Sequence, residues 1–346
     1  MSSTSSNYLG AGTYGTVFVE HGKAVKKFAK LSHIIQEYAA LRYLNECKHI
    51  VHTSGVDFNK LELKMQLYNN SLKMWLLENL EVKYQDVMVI LYGIISGLVE
   101  LHDRDLAHGD LKPGNVLVRN KPLKAVLGDC GFVSNLRYAK INRTADVYRD
   151  PIIQHDDKHD MYGFGICMLE ILGGVKLKKQ ACYQGLSEII DKRIKDSKIN
   201  NLLHKLLSEK RDLRPTARET LKFLFNKNPP KWIKIKYGRC KNSIENDHHL
   251  MKQMKNISDK FQIKRSKLGY SALICFLEEN KISEHMYDVY LKVTLMILSA
   301  LFGEKRYEEC DVVENNLINY ETIYDVLDSL LSNDKFIGIL LSSKRI

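Results

Sequence analysis

One pair of loops constrains this chain more than any other feature. The stretch His108-Gly109-Asp110-Leu111-Lys112-Pro113-Gly114-Asn115 runs into the apolar Val116-Leu117-Val118, and fourteen residues after Asn115 comes Asp129, within Gly128-Asp129-Cys130-Gly131. A long amphipathic stretch, Val87 to His102, precedes the first loop, and a short apolar run, Ala125 to Leu127, precedes the second. The polar residues therefore sit on loops between rigid elements. Asp110, Lys112, Asn115 and Asp129 supply an acid, a cation, a neutral oxygen ligand and a second acid. Phosphoryl transfer needs this set: a base to orient the attacking hydroxyl, positive charge for the equatorial oxygens and hard oxygen ligands for Mg²⁺.

A phosphate-binding half is expected near the N-terminus. Leu9-Gly10-Ala11-Gly12-Thr13-Tyr14-Gly15-Thr16-Val17 is a G-x-G-x-x-G-x-V pattern between two β-like runs. Glycines let a backbone approach phosphate oxygens and offer N–H donors without a Cβ in the way. In a dinucleotide site this pattern opens into a helix. Here it continues as Val17-Phe18-Val19, a turn at His21-Gly22, and Lys23-Ala24-Val25-Lys26. Lys26 would place a charge on the α and β phosphates, and Glu37 on the following helix is the carboxylate to orient it. Only eleven positions separate the two, so the strand-to-helix connection must be tight.

The remaining features bound the class. A chain of 346 residues accommodates one domain of about 250 residues plus a further module. Its seven cysteines are scattered and never form C-x-x-C, which argues against a disulfide framework or a zinc site and for an intracellular, cytoplasmic or nuclear, location. MSSTSSNY lacks a signal-peptide core, and the membrane-like run Val293 to Phe302 is too short to span a bilayer, so no membrane partner is expected. The net charge of +11 comes from lysines spread among Glu and Asp, the pattern of solvated faces rather than a nucleic-acid surface.

β-like runs fill the first third (Tyr8 to Val19, Lys23 to Phe28, Ile50 to Phe58, Leu61 to Leu67), interrupted by a helix capped at Ser32 with Ile34, Ile35, Tyr38, Leu41 and Leu44 at helical spacing. Helices dominate from Ser71, including Asp160 to Leu172. Pro229-Pro230 ends that region. Beyond it lie a basic run, Lys231 to Lys241, and amphipathic helices marked by Met251, Met254, Ile257 and Phe261, by Ser283 towards Gly303, and by Ile323, Val326, Leu327 and Leu330. The expected fold is α+β, with segments 1–68, 69–228 and a helical extension, 229–346. The extension reads as a protein-partner module or as a brace on the larger lobe.

With these motifs in order, the chain resembles the eukaryotic protein kinase superfamily over roughly Tyr8 to Asn226. The resemblance implies a bilobal fold with a small β-rich lobe and a larger helical lobe, ATP and Mg²⁺ as cofactors, and a protein substrate accepting phosphate on Ser or Thr. It makes Asp110 the catalytic base, Lys112 the residue that steadies the transferred phosphate, Asn115 and Asp129 the metal ligands, and Lys26 with Glu37 the strand lysine and its helix partner. Leu9 to Val17 would cover the phosphates. Met65 would be the gatekeeper, Gln66 and Tyr68 would offer backbone groups to adenine, and Ala24 and Leu117 would sandwich the ring. Asp160-Met161-Tyr162-Gly163-Phe164-Gly165 is similar to the D-x-W-S-x-G helix motif, whose aspartate braces the catalytic loop, and Asp212 to Ala217 to the late R-P-T-A element. The composition is also similar to that of kinases encoded by large DNA viruses.

Three departures stand out. Gly109 replaces the arginine that pairs with a phosphorylated activation loop, which implies activity independent of loop phosphorylation. Cys130 replaces the phenylalanine of D-F-G. The A-P-E element is reduced to Asp150-Pro151-Ile152, leaving Arg214 to find Asp150, another acid or water, while Thr144 lies near the place of the threonine that contacts the catalytic loop. Two alternatives remain open from sequence: a pseudokinase scaffold, and a small-molecule phosphotransferase, since H-G-D-L-x-P-G-N also resembles the aminoglycoside kinases.

Overall fold

The computed structural model describes residues 7–12, 14–79, 82–135, 148, 150–151, 156–177, 183–228, 248–263, 265–302, 312 and 320–341. They form two compact units. The first combines Met1–Glu46, His52–Leu67 and Lys234–Ile346, and the second Cys47–Val51 and Tyr68–Ile233.

The first unit opens with an antiparallel sheet of β1 (Asn7–Ala11), β2 (Gly15–Glu20), β3 (Lys23–Phe28), β4 (Thr53–Asp57) and β5 (Glu62–Gln66), in the order β1-β2-β3-β5-β4. Short hairpins put neighbours in sequence side by side, and His21 and Gly22, both with positive φ, make the β2–β3 turn. Helix α1 (Leu31–Tyr43) follows β3 after only Ala29 and Lys30. Ser32, the expected cap, lies inside its first turn, and Lys30 occupies the cap position without a side-chain bond. Burial of Leu31 fixes the helix start here, so packing overrides capping chemistry.

The extension contributes α8 (His248–Phe261), α9 (Ser266–Glu279), α10 (Tyr287–Phe302), α11 (Tyr320–Leu331) and α12 (Asp334–Leu341) to this same unit. Helix α10, buried from Val289 to Ser299, packs on α1, α8, α9 and α11, and α12 packs on α9 and α1. The expected brace on the larger lobe is thus corrected: the described helices of the extension belong with α1 and the sheet.

The second unit is built on α3 (Tyr84–His102), which lies against the hairpin β8 (Val116–Asn120) and β9 (Leu123–Leu127). The pair β6 (Asn70–Ser71) extends that hairpin, and α2 (Leu72–Glu78) follows it, capped by the Ser71 hydroxyl. The short strands β7 (Leu106–Ala107) and β10 (Ser134–Asn135) pair antiparallel. Helices α4 (Asp157–Gly173), α5 (Tyr183–Arg193), α6 (Ser197–Leu206) and α7 (Ala217–Phe225) complete it. Helix α4 is buried almost throughout, and a capping box of Thr216 and Glu219 starts α7.

Two stretches, Tyr84–His102 and Glu284–Phe302, are long and apolar enough by composition to cross a membrane. Most of each is buried within its own unit, as expected of core helices. Cys47, Cys130 and Cys167 are buried and not disulfide-bonded, whereas Cys275 is disulfide-bonded, a cross-link that the cysteine spacing did not announce.

Candidate active site

The first unit carries the glycine-bearing β1–β2 hairpin, Lys26 and Glu37. The β1–β2 turn is closed by the Gly12 N–H donating to the Gly15 carbonyl at 2.8 Å. Leu9, Ala11 and Gly12 are exposed, while Gly10, Tyr14, Thr16 and Val17 are part-exposed; Thr13 lies outside the described residues. A Cβ on Gly15 would meet the Lys27 carbonyl oxygen at 2.4 Å, so close pairing of β2 with β3 demands this glycine irrespective of any ligand. The Tyr14 ring lies against that of His33 on α1, with centroids 4.2 Å apart.

Lys26 projects from β3, and its Nζ donates to Glu37 Oε2 at 2.6 Å. Both side chains are almost wholly buried. The two-residue β3–α1 link makes this possible. Lys26 Nζ also sits 5.1 Å from the Phe28 ring centroid. Ala24 and Met65 are register partners across β3 and β5, and both are buried. The Gln66 N–H donates to the His52 carbonyl at 2.9 Å.

In the second unit, Tyr68 is buried, and burial pushes its phenol above the ordinary value, with Arg119 opposing. Leu117 pairs with Val126 across the β8–β9 hairpin. The loop after β7 is held from below by Asp160, at the start of α4. Asp160 Oδ2 accepts from the His108 N–H at 2.7 Å, and Oδ1 accepts from the Gly109 N–H at 3.0 Å. His102, at the end of α3, brings its Nε2 within 3.0 Å of Oδ2. Burial works to raise the Asp160 pKa, yet His102, His108 and the Gly109 N–H together hold it below the ordinary value.

Asp110 is buried just beyond. Lys112 Nζ donates to its Oδ2 at 2.5 Å, and Asn115 Nδ2 donates to the same oxygen and to the Asp110 carbonyl, each at 2.8 Å. Its Oδ1 is buried and has no hydrogen-bond partner among the described residues. Burial raises the Asp110 pKa, with Lys112, His108 and Asn115 offsetting part of the rise.

The two loops are tied together through His108, whose Nε2 lies 3.0 Å from the Gly128 carbonyl, and through the Gly128 N–H, which donates to the Asn115 carbonyl at 2.8 Å. Asp129 follows in the left-handed region, at φ 52° and ψ 64°, which aspartate tolerates better than most residues. Asn115 has committed its amide nitrogen to Asp110, so its oxygen is the end that can meet a cation. Asn115 and Asp129 each carry a hard oxygen donor of the kind Mg²⁺ takes. Among the described residues there is no cluster of three or more His, Cys, Asp and Glu that could hold a metal.

The reduced A-P-E element is compensated. Arg214, buried, donates through Nη1 and Nη2 to the Asp150 carboxylate at 2.5 and 3.2 Å. Arg211 also pairs with Asp150 and with Asp156. Arg211, Asp156 and His102 escaped the sequence reading. Their partners lie more than fifty positions away in sequence. Thr144 lies outside the described residues.

This combination of a glycine-turned hairpin, a strand lysine paired to a helix glutamate, and two acid-bearing loops braced by a buried helix defines a kinase-type phosphotransferase fold. A model of the protein kinase domain matches residues 4–229, and the chain belongs to the protein kinase family. It is similar to the interferon-induced, double-stranded RNA-activated protein kinase of Mus musculus, at 28% identity over 255 residues, covering 62% of this chain and 49% of that protein. It is also similar to the Drosophila melanogaster membrane-associated tyrosine- and threonine-specific cdc2-inhibitory kinase, at 29% identity over 200 residues, covering 51% and 36%. The putative serine/threonine-protein kinase/receptor R831 of Acanthamoeba polyphaga mimivirus is 28% identical over 194 residues, covering 48% and 12%. The chain thus spans half or less of the length of these relatives.

Proposed function

We propose that the chain is an ATP- and Mg²⁺-dependent protein kinase that phosphorylates serine or threonine hydroxyls of a protein substrate. The supporting observation is the state of Asp110: one carboxylate oxygen is gripped by Lys112 and Asn115, and the other is buried without a hydrogen-bond partner among the described residues. In this reading Oδ1 orients the substrate hydroxyl, whose oxygen bonds to the γ-phosphorus as the β,γ-bridging P–O bond breaks. The hydroxyl proton passes to Asp110, and ADP leaves. Lys112 balances charge on the transferred group, and Lys26, aligned by Glu37, holds the α and β phosphates. Asn115 and Asp129 hold Mg²⁺, which when bound neutralises charge on the triphosphate. Leu9 to Val17 cover the phosphates, with Ala24, Leu117 and the chain around Tyr68 about the adenine. The raised Asp110 pKa suits a group that must take up a proton.

Lys112 at its place in the loop favours Ser/Thr acceptors. A relative named as tyrosine- and threonine-specific supports a second reading, in which tyrosine is also accepted. The test is labelled-ATP transfer to mixed protein substrates, followed by phosphoamino-acid analysis, for wild type and Asp110→Asn. Turnover should fall at least a thousand-fold in the variant, on the order expected for loss of a positioned base and its electrostatics. Equal and negligible turnover in both proteins would instead identify a nucleotide-binding scaffold.

A further inference from the structure

Glu37 is held by a helix that is buried around nearly its whole circumference: Ile34, Ile35, Glu37, Ala39 and Leu41 are all at most 2% exposed. One sheet can cover only one side of a helix. Strands β3, β4 and β5 pack on α1 from one side, and α10, α11 and α12 also pack on it. Helical spacing places Ile35, Ala39 and Arg42 on one stripe, and Glu37, two positions from both Ile35 and Ala39, roughly opposite. From that stripe Arg42 Nη2 donates to the Ser332 carbonyl at 3.1 Å and to Asp334 Oδ1 at 3.0 Å. Ser332 lies between the end of α11 and the start of α12. Tyr38, one helical turn before Arg42, shares a side-chain hydrogen bond with Ser332.

We infer that α10, α11 and α12 form a covalently attached brace on α1, and that Arg42 is a positioning residue through which they fix Glu37 against Lys26. Without such cover, the outer stripe of α1 would expose Ile35 and Ala39 to water, and the helix would hold only through the sheet-side contacts. Because the brace is part of the chain, its local concentration does not depend on any partner. The consequence for catalysis rests on the kinase reading above; the brace itself does not.

The experiment uses the full chain and four proteins: wild type, Arg42→Ala, Arg42→Lys, and the charge swap Arg42→Asp with Asp334→Arg. Amide hydrogen exchange of residues 31–43 is measured beside kcat and the KM for ATP. In Arg42→Ala the α1 amides should exchange about five- to ten-fold faster, and the KM for ATP should rise by a similar factor, as expected for losing a charged hydrogen bond that closes a local opening. Peptides of the second unit should be unchanged. The lysine and swap variants should recover to within about two-fold of wild type, since each restores one charged contact. Wild-type exchange of α1 in Arg42→Ala would overturn the inference. So would recovery by neither rescue variant, or faster exchange with an unchanged KM in an active enzyme. A wild type that turns over no ATP would refute the kinase reading alone, and the exchange measurements would still decide the brace.

Discussion

Asp150 and Arg214 offer the most quantifiable perturbation. Both side chains are wholly buried. Arg214 is also held by the Ser208 carbonyl at 2.7 and 2.9 Å and by the Lys158 carbonyl at 3.2 Å, and its guanidinium lies 5.1 Å from the Tyr162 ring centroid. Removing one member of a buried pair leaves an uncompensated charge and costs about 3–5 kcal/mol. The carbonyl acceptors that remain on Arg214 place Asp150→Leu near the lower end, at about 3 kcal/mol. For a cooperative unit of this size that corresponds to a fall in Tm of about 6–12 °C. Replacing both residues, Asp150→Leu with Arg214→Met, removes the wholly buried stranded charge and leaves Arg211 on Asp156, and should recover more than half of the loss. Differential scanning calorimetry of Asp150→Leu, Arg214→Met and the double variant reads this directly. A fall below about 2 °C for Asp150→Leu, or a double variant no more stable than the sum of the singles, would refute the buried-pair reasoning.

Further expectations follow from the same unit. The folded-state pKa of Asp160 lies below its unfolded value near 3.8, so the stability it gives is present above that value and lost as pH falls through the folded pKa; Asp160→Asn should flatten the acid limb of an unfolding-versus-pH curve. Asp110 is shifted the other way, so kcat should rise with pH through a value above that of an ordinary aspartate. Lys112→Met removes an interaction that lowers the Asp110 pKa and should move that limb further up, as read in a pH–rate profile. Gly109 has φ +77°, and a Cβ there would meet the Phe132 carbonyl oxygen at 3.0 Å. Gly109→Arg should therefore destabilise the second unit by about 1–2 kcal/mol in denaturant melts, and phosphatase treatment should leave wild-type turnover unchanged.

The sequence was most legible where chemistry and geometry are local. Asp110, Lys112 and Asn115 lie within one short loop, and their mutual bonds follow from that spacing once a turn brings Asn115 back over Asp110. Lys26 and Glu37 were legible as a pair because a tight link after β3 leaves the helix few places to go. Pairings across long separations were not. His102 and Asp160 meet 58 positions apart, and nothing in either segment names the other. An isolated segment also does not reveal which N–H groups the fold will consume, as with that of Gln66 on the His52 carbonyl. The stripe Ile323, Val326, Leu327 and Leu330 is buried as its period announced, whereas Met251 in the first stripe is exposed; and an amphipathic period never states against what a face is buried.

Local and distant support also divide the site itself. The Asp110 carboxylate is fixed by neighbours two and five positions away, so its geometry survives small shifts of the surrounding helices. The Lys26–Glu37 bond joins a strand to a helix outside the sheet's hydrogen-bond ladder, and α1 lacks a side-chain cap at its start. A buried ion pair gives little net stability by itself, because desolvation consumes most of the Coulombic gain. It therefore cannot hold α1 in place and must itself be held. The apolar cover on both sides of α1, partly supplied by helices from the far end of the chain, is the term large enough to do that. Glu37 is thus positioned by tertiary packing, and residues with no chemistry of their own belong to the energetics of the nucleotide-side pair.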